Sequence, residues 1–178
     1  MHLLYRIILT FPSAILYNTD DYNADLTPRK ENRMLTIYKV KTESQLSSCL
    51  KIRKAVFVEE KGVDEKIEID FLDTVGGDCA HFLACENDSF VGTFRCVPKE
   101  KDCVKIERFC VLKEVRHEGF GREMMKFACE YYKNEGVKRL ILNAKLGAAP
   151  FYERCGFEKI GEEFEEAGVP HVKMFKCL

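Results

Sequence analysis

Residues 103–135 read CVKIERFCVLKEVRHEGFGREMMKFACEYYKNE, and they predict a strand, a glycine loop and a helix in that order. Residues 104–112 are mostly β-branched, aromatic or apolar with charges interspersed, which is typical of a central strand. Gly136 follows the helical part where a left-handed C-terminal cap is expected. Apolar residues in that part recur at spacings of three and four and predict one buried stripe: Phe120, Met124, Phe127, Ala128 and Tyr131.

The loop between the strand and the helix is suited to binding a phosphate. A helix N-terminus exposes unpaired N–H groups and a partial positive charge. Gly119 and Gly121 lack the Cβ that would keep phosphate oxygens from the backbone, and Arg116 and Arg122 add positive charge. The alternative is a helix start that simply requires two glycines, and a single Gly-x-Gly does not decide between the two.

Two motifs together resemble a known family. The pattern Arg-x-x-Gly-x-Gly at 116–121 resembles the acetyl-CoA pyrophosphate loop of the GNAT N-acetyltransferase superfamily. Residues 140–144 (LILNA) and 149–157 (APFYERCGF) resemble the second half of that signature. Many members carry glycine where His117 stands. The resemblance covers the chain from about residue 35 onward, and the tail at 162–171 is similar to small bacterial members that include glucosamine phosphate acetyltransferase-like proteins.

The resemblance implies a fold and an activity. The expected fold is α/β, with a mixed, mostly antiparallel central sheet that is flanked by helices and splayed at the acetyl-CoA site. The expected activity is N-acetylation of a primary amine of a small molecule by direct transfer from acetyl-CoA, without a metal. The alternative is a non-catalytic acyl-CoA-binding or regulatory module, which would bind coenzyme A normally and turn over no amine.

The resemblance also implies which residues hold the acyl donor. A main-chain N–H near Val111 would stabilise the oxyanion, because the family opens this strand with a bulge. Asn143 would hold the pantetheine arm, although it is equally explained as a strand-ending residue. The complete predicted set is Phe109, Val111, Arg116, His117, Glu118, Gly119, Phe120, Gly121, Arg122, Asn143 and Phe151.

Three residues are candidates for proton transfer. Tyr152 matches the family's tyrosine beside the CoA sulfur and would protonate the departing thiolate; alternatively it is a core aromatic. Glu107 is a carboxylate in a buried strand, where desolvation would raise its pKa and suit it to accept the amine proton; alternatively it forms an ion pair with Arg95, Arg108 or Lys105. His171 is the rival base, or else a strand-edge histidine.

Composition limits the remaining possibilities. The chain has 178 residues, a formal net charge of −1 and nine cysteines, which predicts one domain with no bias toward nucleic acid. The cysteines form no Cys-x-x-Cys pair, so they predict free thiols in the reducing cytoplasm. We expect no membrane partner, and a homodimer is compatible with the sequence. Arg53, Arg95 and Arg108 could bind an anionic substrate, whereas the acidic loop at 59–73 could receive a cationic amine, and the sequence does not choose.

Residues 1–33 differ from the rest of the chain. The apolar stretch at 3–16 is too short to span a bilayer, and residues 18–33 have the polar composition of a linker. We therefore predict an extension at 1–33, which is a mis-set start, a targeting segment or an accessory element, and a GNAT domain at 34–178. Within the domain the patterns predict a helix at 43–60 with Thr42 as N-cap, a hairpin of strands 79–86 and 90–98, a strand at 137–144, a short helix at 148–154, and strands at 157–160 and 171–176.

Overall fold

The computed structural model describes residues 15–17 and 34–178, which form one sheet with helices on both faces. The strands are β1 (Ile15–Tyr17), β2 (Leu35–Lys39), β3 (Ala80–Glu86), β4 (Ser89–Glu100), β5 (Cys103–Val111), β6 (Arg139–Lys145), β7 (Glu158–Glu166) and β8 (Val169–Cys177). The helices are α1 (Glu43–Arg53), α2 (Glu65–Glu68), α3 (Phe120–Asn134) and α4 (Ala149–Arg154).

The sheet is mixed, and its one parallel pairing creates a split. The strand order is β1-β2-β3-β4-β5-β6-β8-β7, and every neighbouring pair is antiparallel except β5 and β6. These two strands pair only from Cys103 opposite Arg139 to Lys105 opposite Ile141. Beyond that point β5 continues to Val111 and β6 to Lys145, but the two strands no longer pair with each other. The sheet therefore opens between them. The predicted mixed and splayed sheet is confirmed.

Two apolar layers hold the helices on the sheet. Phe82 and Ala84 of β3 belong to the core that contains the stripe of α3, whereas Leu83, between them, packs with Leu46 and Cys49 of α1. Successive residues of a strand point to opposite faces, so α3 and α1 lie on opposite sides of the sheet. We refer to these sides as the α3 face and the α1 face.

The helix predicted at 43–60 is present, but only its first part, α1, is α-helical. Thr42 is the N-cap, and it forms a reciprocal capping box with Gln45. After Arg53 the helix continues as a π-helix from Lys54 to Glu60, and Gly62 follows with a φ of +69°. The buried positions of this segment are Leu46, Cys49, Ile52, Arg53 and Val56.

Most other elements lie where the patterns predict. The β3–β4 hairpin turns at Asn87 and Asp88, which both have positive φ, as its tight turn requires. Helix α3 ends at Asn134, and Gly136 has the left-handed conformation expected of its cap. The last two strands are longer than predicted, because β7 and β8 continue to a turn at Ala167 and Gly168. β7 is exposed along its whole length, so burial alternation could not reveal it.

The N-terminal segment contributes one strand to the sheet. β1 pairs antiparallel with β2, from Ile15 opposite Ile37 to Tyr17 opposite Leu35. The rest of the predicted extension, residues 1–14 and 18–33, lies outside the described residues, and the boundary at residue 34 stays a prediction. No described helix is both long and apolar enough to cross a membrane.

Candidate active site

A cavity of about 770 Å³ lies beside the second half of β5, the part that does not pair with β6. Residues from the second half of β5, the loop before α3, the start of α3, the π-helical turn and α4 form its walls. Ten of the predicted site residues line it: Phe109, Val111, Arg116, His117, Gly119, Phe120, Gly121, Arg122, Phe151 and Tyr152. The split sheet therefore brings most of the predicted constellation into one place.

A β-bulge shapes the wall formed by β5. Thr93 and Arg95 of β4 are two residues apart, yet they pair with Cys110 and Glu107, which are three residues apart. The extra residue lies at Arg108, whose φ is +52°. A bulge re-aims the side chains and backbone groups that follow it, and Phe109, Cys110 and Val111, directly after it, line the cavity. The expected bulge in this strand is thus present.

The loop before α3 turns through two left-handed residues. His117 has a φ of +66° and Gly119 one of +94°, and Gly119 is the residue that precedes the helix. A side chain in this conformation costs roughly 1–2 kcal/mol, which explains why glycine suits position 117. Gly121 is different, because a Cβ there would lie 3.4 Å from the Phe151 ring, an ordinary contact distance. Gly119 is thus required for its backbone conformation, whereas the surroundings of Gly121 leave room for a Cβ.

Arg116 connects this loop to the π-helical turn that follows α1. Its Nη1 and Nη2 donate to the two carboxylate oxygens of Glu60 at 2.7 and 2.5 Å, and its Nε donates to the Val111 carbonyl at 3.0 Å. The hydrogen bond from Arg116 lowers the pKa of Glu60. Because Glu60 belongs to the π-helical turn, one guanidinium connects three walls of the cavity.

Tyr152 lies in an aromatic wall of the cavity. Its ring contacts Phe109, Phe151 and Phe157 edge-on, with centroids 6.3, 5.0 and 6.1 Å away. Burial raises the pKa of Tyr152 above its usual range, so the phenol stays protonated at neutral pH. A protonated phenol at the cavity wall has the form that a general acid needs.

Glu107 does not line the cavity, and the predicted rise of its pKa is wrong. Its Oε2 accepts from Arg95 at 2.8 Å, and its Oε1 pairs with Lys105 at 3.0 Å. Burial raises the pKa of Glu107, but the hydrogen bonds from Arg95 and Lys105 outweigh burial, and the net pKa lies below its ordinary value. The geometry favours the ion-pair alternative over the role of a base.

The three arginines that could have bound a substrate are paired with the acidic loop instead. Arg53 donates to Glu68 at 2.7 Å and to Asp73 at 2.6 Å. Arg95 contacts Asp70 at 2.7 and 2.8 Å and Asp73 at 3.1 Å. Arg108 contacts Glu68 at 3.2 Å. With Glu107 and Lys105, the network contains four acidic and four basic side chains, so it is balanced in charge. These contacts hold the loop that contains α2 against the α1 face. Because the basic and acidic side chains of this network bind each other, neither an anionic nor a cationic substrate has a free partner among them.

Three other predicted residues lie outside the lining. His171 donates from Nδ1 to the Val169 carbonyl at 2.7 Å, and its ring stacks on Phe164. Asn143 donates to the carboxylate of Glu166 at 3.3 Å, so its side chain is directed to β7. Glu118 belongs to the loop but does not line the cavity. The position of His171 fits its alternative, a histidine at the strand edge. Asn143 lies inside β6, two residues before the strand ends, and contacts the neighbouring hairpin.

Sequence reasoning missed part of the lining. Val56, Phe57 and Lys61 come from the π-helical turn and its end, which a pattern based on 3.6 residues per turn cannot place. Arg154 and Cys155 could have been found, because they lie inside the APFYERCGF stretch that carries the resemblance. The other missed residues are Cys110, Val115 and Ala148. Burial raises the pKa of Cys110 far above the ordinary value, so this thiol is not a ready nucleophile. In the described part of the chain, no cluster of three or more histidine, cysteine, aspartate or glutamate side chains could hold a metal ion.

Comparisons with known proteins agree with this geometry. The acetyltransferase (GNAT) domain model matches residues 53–178. The uncharacterized N-acetyltransferase YjcF of Bacillus subtilis is 36% identical over 137 residues, which cover 76% of this chain and 95% of that protein. The crystal structure of Escherichia coli ElaA superimposes with a TM-score of 0.71 at 30% identity, over 80% of this chain and 99% of that chain. A coenzyme A complex of aminoglycoside 6′-N-acetyltransferase has a TM-score of 0.63 over 79% of this chain and 96% of that chain, and at 14% identity it shows a shared fold.

Proposed function

Because the chain belongs to the GNAT acetyltransferases and is an N-acetyltransferase, we propose that it moves an acetyl group directly from acetyl-CoA to a primary amine of a small molecule. The observation that carries this proposal is the continuity of the cavity. It extends from the loop and first turn of α3 to Tyr152 and the bulged end of β5. One ligand can therefore contact the phosphate-binding features and the reacting groups at once.

The loop fits the phosphates of the acyl donor. Its two left-handed residues lead into the N-terminus of a 15-residue helix, where unpaired N–H groups favour anions. Arg116 and Arg122 line the same wall, and the pairing of Arg116 with Glu60 holds its guanidinium there. Phe109 and Phe151 provide apolar surface further along the cavity, which suits the pantetheine arm. The coenzyme A complex of a protein with the same fold also supports this assignment.

The chain's own groups suit direct transfer. The hydroxyl of Tyr152 holds a proton that the departing thiolate can accept, because burial keeps this phenol neutral. Main-chain N–H groups after the bulge, near Val111, are candidates for stabilising the developing oxyanion. Burial keeps the Cys110 thiol protonated, which disfavours a cysteine-linked acetyl intermediate. Direct attack by the amine needs no such intermediate.

A screen of amines with detection of released thiol tests the proposal. The panel contains amino acids, polyamines, glucosamine and glucosamine phosphate, and each reaction is compared with acetyl-CoA alone. We expect amine-dependent release of coenzyme A. Normal affinity for coenzyme A without turnover of any amine would instead support a binding or regulatory module. Such a protein would keep the loop and lack a productive acceptor site.

A further inference from the structure

The ion pair between Glu60 and Arg116 joins two segments that are far apart in the chain. Glu60 is the last residue of the π-helical turn, and Arg116 belongs to the loop before α3. Arg116 lines the cavity, and Glu60 is not among the described residues of that lining. Glu60 therefore holds a side chain that a ligand in the cavity can touch, without being placed to touch the ligand itself.

The protein uses three of the five N–H donors that a guanidinium carries. Nε donates to the Val111 carbonyl at 3.0 Å, and Nη1 and Nη2 donate to separate oxygens of Glu60 at 2.7 and 2.5 Å. A two-point bond of this kind fixes the plane of the guanidinium. The remaining N–H on each Nη takes no acceptor from the described part of the chain. Two donors of Arg116 can thus bind phosphate oxygens, and their direction is set before a ligand arrives.

The carboxylate of Glu60 has two opposite effects on a phosphate at this wall. Its negative charge repels the phosphate, whereas its hydrogen bonds orient Arg116. The two side chains are 28% and 29% exposed, so water and salt screen the repulsion. Salt does not remove the orienting effect to the same extent, because an arginine that is already held loses less rotamer freedom when it binds. Orientation should therefore outweigh repulsion at physiological ionic strength.

We propose that Glu60 is a positioning residue of the donor site, which holds the guanidinium of Arg116 for the phosphates of the acyl donor. The inference rests on the proposed function, because the phosphates belong to the donor assigned there. It makes donor affinity depend on the π-helical turn, which lies outside the glycine motif at 116–121. π-helical turns occur frequently at functional sites, and this one ends at the residue that binds Arg116.

Calorimetry with coenzyme A and with pantetheine, which lacks the phosphates, tests the proposal without requiring turnover. Glu60→Gln leaves one accepting oxygen, so the two-point hold on Arg116 is lost. At about 0.15 M salt, we expect this variant to bind coenzyme A about tenfold more weakly and pantetheine with less than a twofold change. Glu59→Gln is the matched control, because Glu59 is an exposed neighbour in the same turn; it should leave both affinities within twofold.

A double variant shows whether the effect passes through Arg116. Arg116→Gln should itself weaken coenzyme A binding, and adding Glu60→Gln should cause no further loss, because Glu60 then has no guanidinium to hold. Thermal melting of each variant checks that the compared proteins are folded. Unchanged or tighter binding of coenzyme A by Glu60→Gln, an equal loss for pantetheine, or additive losses in the double variant would overturn the inference. The expected binding pattern in a protein that acetylates no amine would keep the inference and contradict the proposed function.

Discussion

Substitution of Glu107 tests whether this carboxylate acts as a catalytic base or stabilises the fold through its ion pairs. In the folded protein, Arg95 is 2% exposed and donates to Asp70, Asp73 and Glu107. Glu107→Gln removes one negative charge from this buried group but leaves an amide oxygen that can still accept one hydrogen bond. Hydrogen bonds to charged groups contribute about 1.5–3 kcal/mol, so we expect a loss of about 2 kcal/mol in unfolding free energy. For a chain of this size that corresponds to a fall of about 4–8 °C in Tm.

The pH dependence of this loss follows from the lowered pKa of Glu107. A carboxylate whose folded pKa is depressed stabilises the protein above its unfolded pKa, and this contribution is lost as the pH falls through the folded pKa. The difference in stability between wild type and Glu107→Gln should therefore be full at pH 7 and shrink below about pH 4, the ordinary range of a glutamate.

Thermal melting and initial rates on the same preparations test the prediction. We expect an unchanged pH–rate profile once rates are normalised to the folded fraction. Glu100→Gln is the control, because Glu100 is 73% exposed and pairs with Arg139 at 3.3 Å; it should shift Tm by less than about 2 °C. A variant with wild-type stability, a low rate at neutral pH and recovery at high pH would refute the ion-pair assignment and make Glu107 the base.

Further predictions concern the network, the loop, the acid and the N-terminal boundary. Asp73→Asn should lower the unfolding free energy by about 3–5 kcal/mol, seen in urea titrations, because it leaves two buried arginines underpaired. Gly119→Ala should weaken acetyl-CoA binding in calorimetry through its φ of +94°, whereas Gly121→Ala should change it little; equal effects would contradict the separate roles of the two glycines. Tyr152→Phe should reduce kcat with little change in acetyl-CoA affinity, and a full rate would remove Tyr152 as the acid. A chain starting at Met34 should keep its Tm within a few degrees, and a larger fall would show that the extension, which includes β1, is part of the domain.

The balanced network has a consequence for the site as well as for stability. It fastens the α2 loop beside the bulge at Arg108, since Arg108 also donates to the Ile67 carbonyl at 2.9 Å. Four of its members are almost completely buried: Arg53, Glu68, Asp73 and Arg95. Loss of one partner should therefore disturb the β5 wall of the cavity even where it leaves the lining residues unchanged.

The sequence by itself determined the features that depend on neighbouring residues. The stripe of α3, the glycine loop before it and the cap at Gly136 follow from helical spacing and from the freedom of glycine, both of which act within one turn. The β3–β4 hairpin and the capping box at Thr42 are local in the same sense. These signals, together with the second motif at 149–157, sufficed to identify the family and ten residues of the cavity lining.

Only the tertiary structure decided the features that join distant parts of the chain. The pairing of Arg95 with Asp70, Asp73 and Glu107 depends on how three segments meet, so a buried carboxylate could be interpreted equally as a base or as an ion pair. The bulge at Arg108 depends on the register between β4 and β5. Electrostatic energy depends on distance in space, which the order of residues along the chain does not specify.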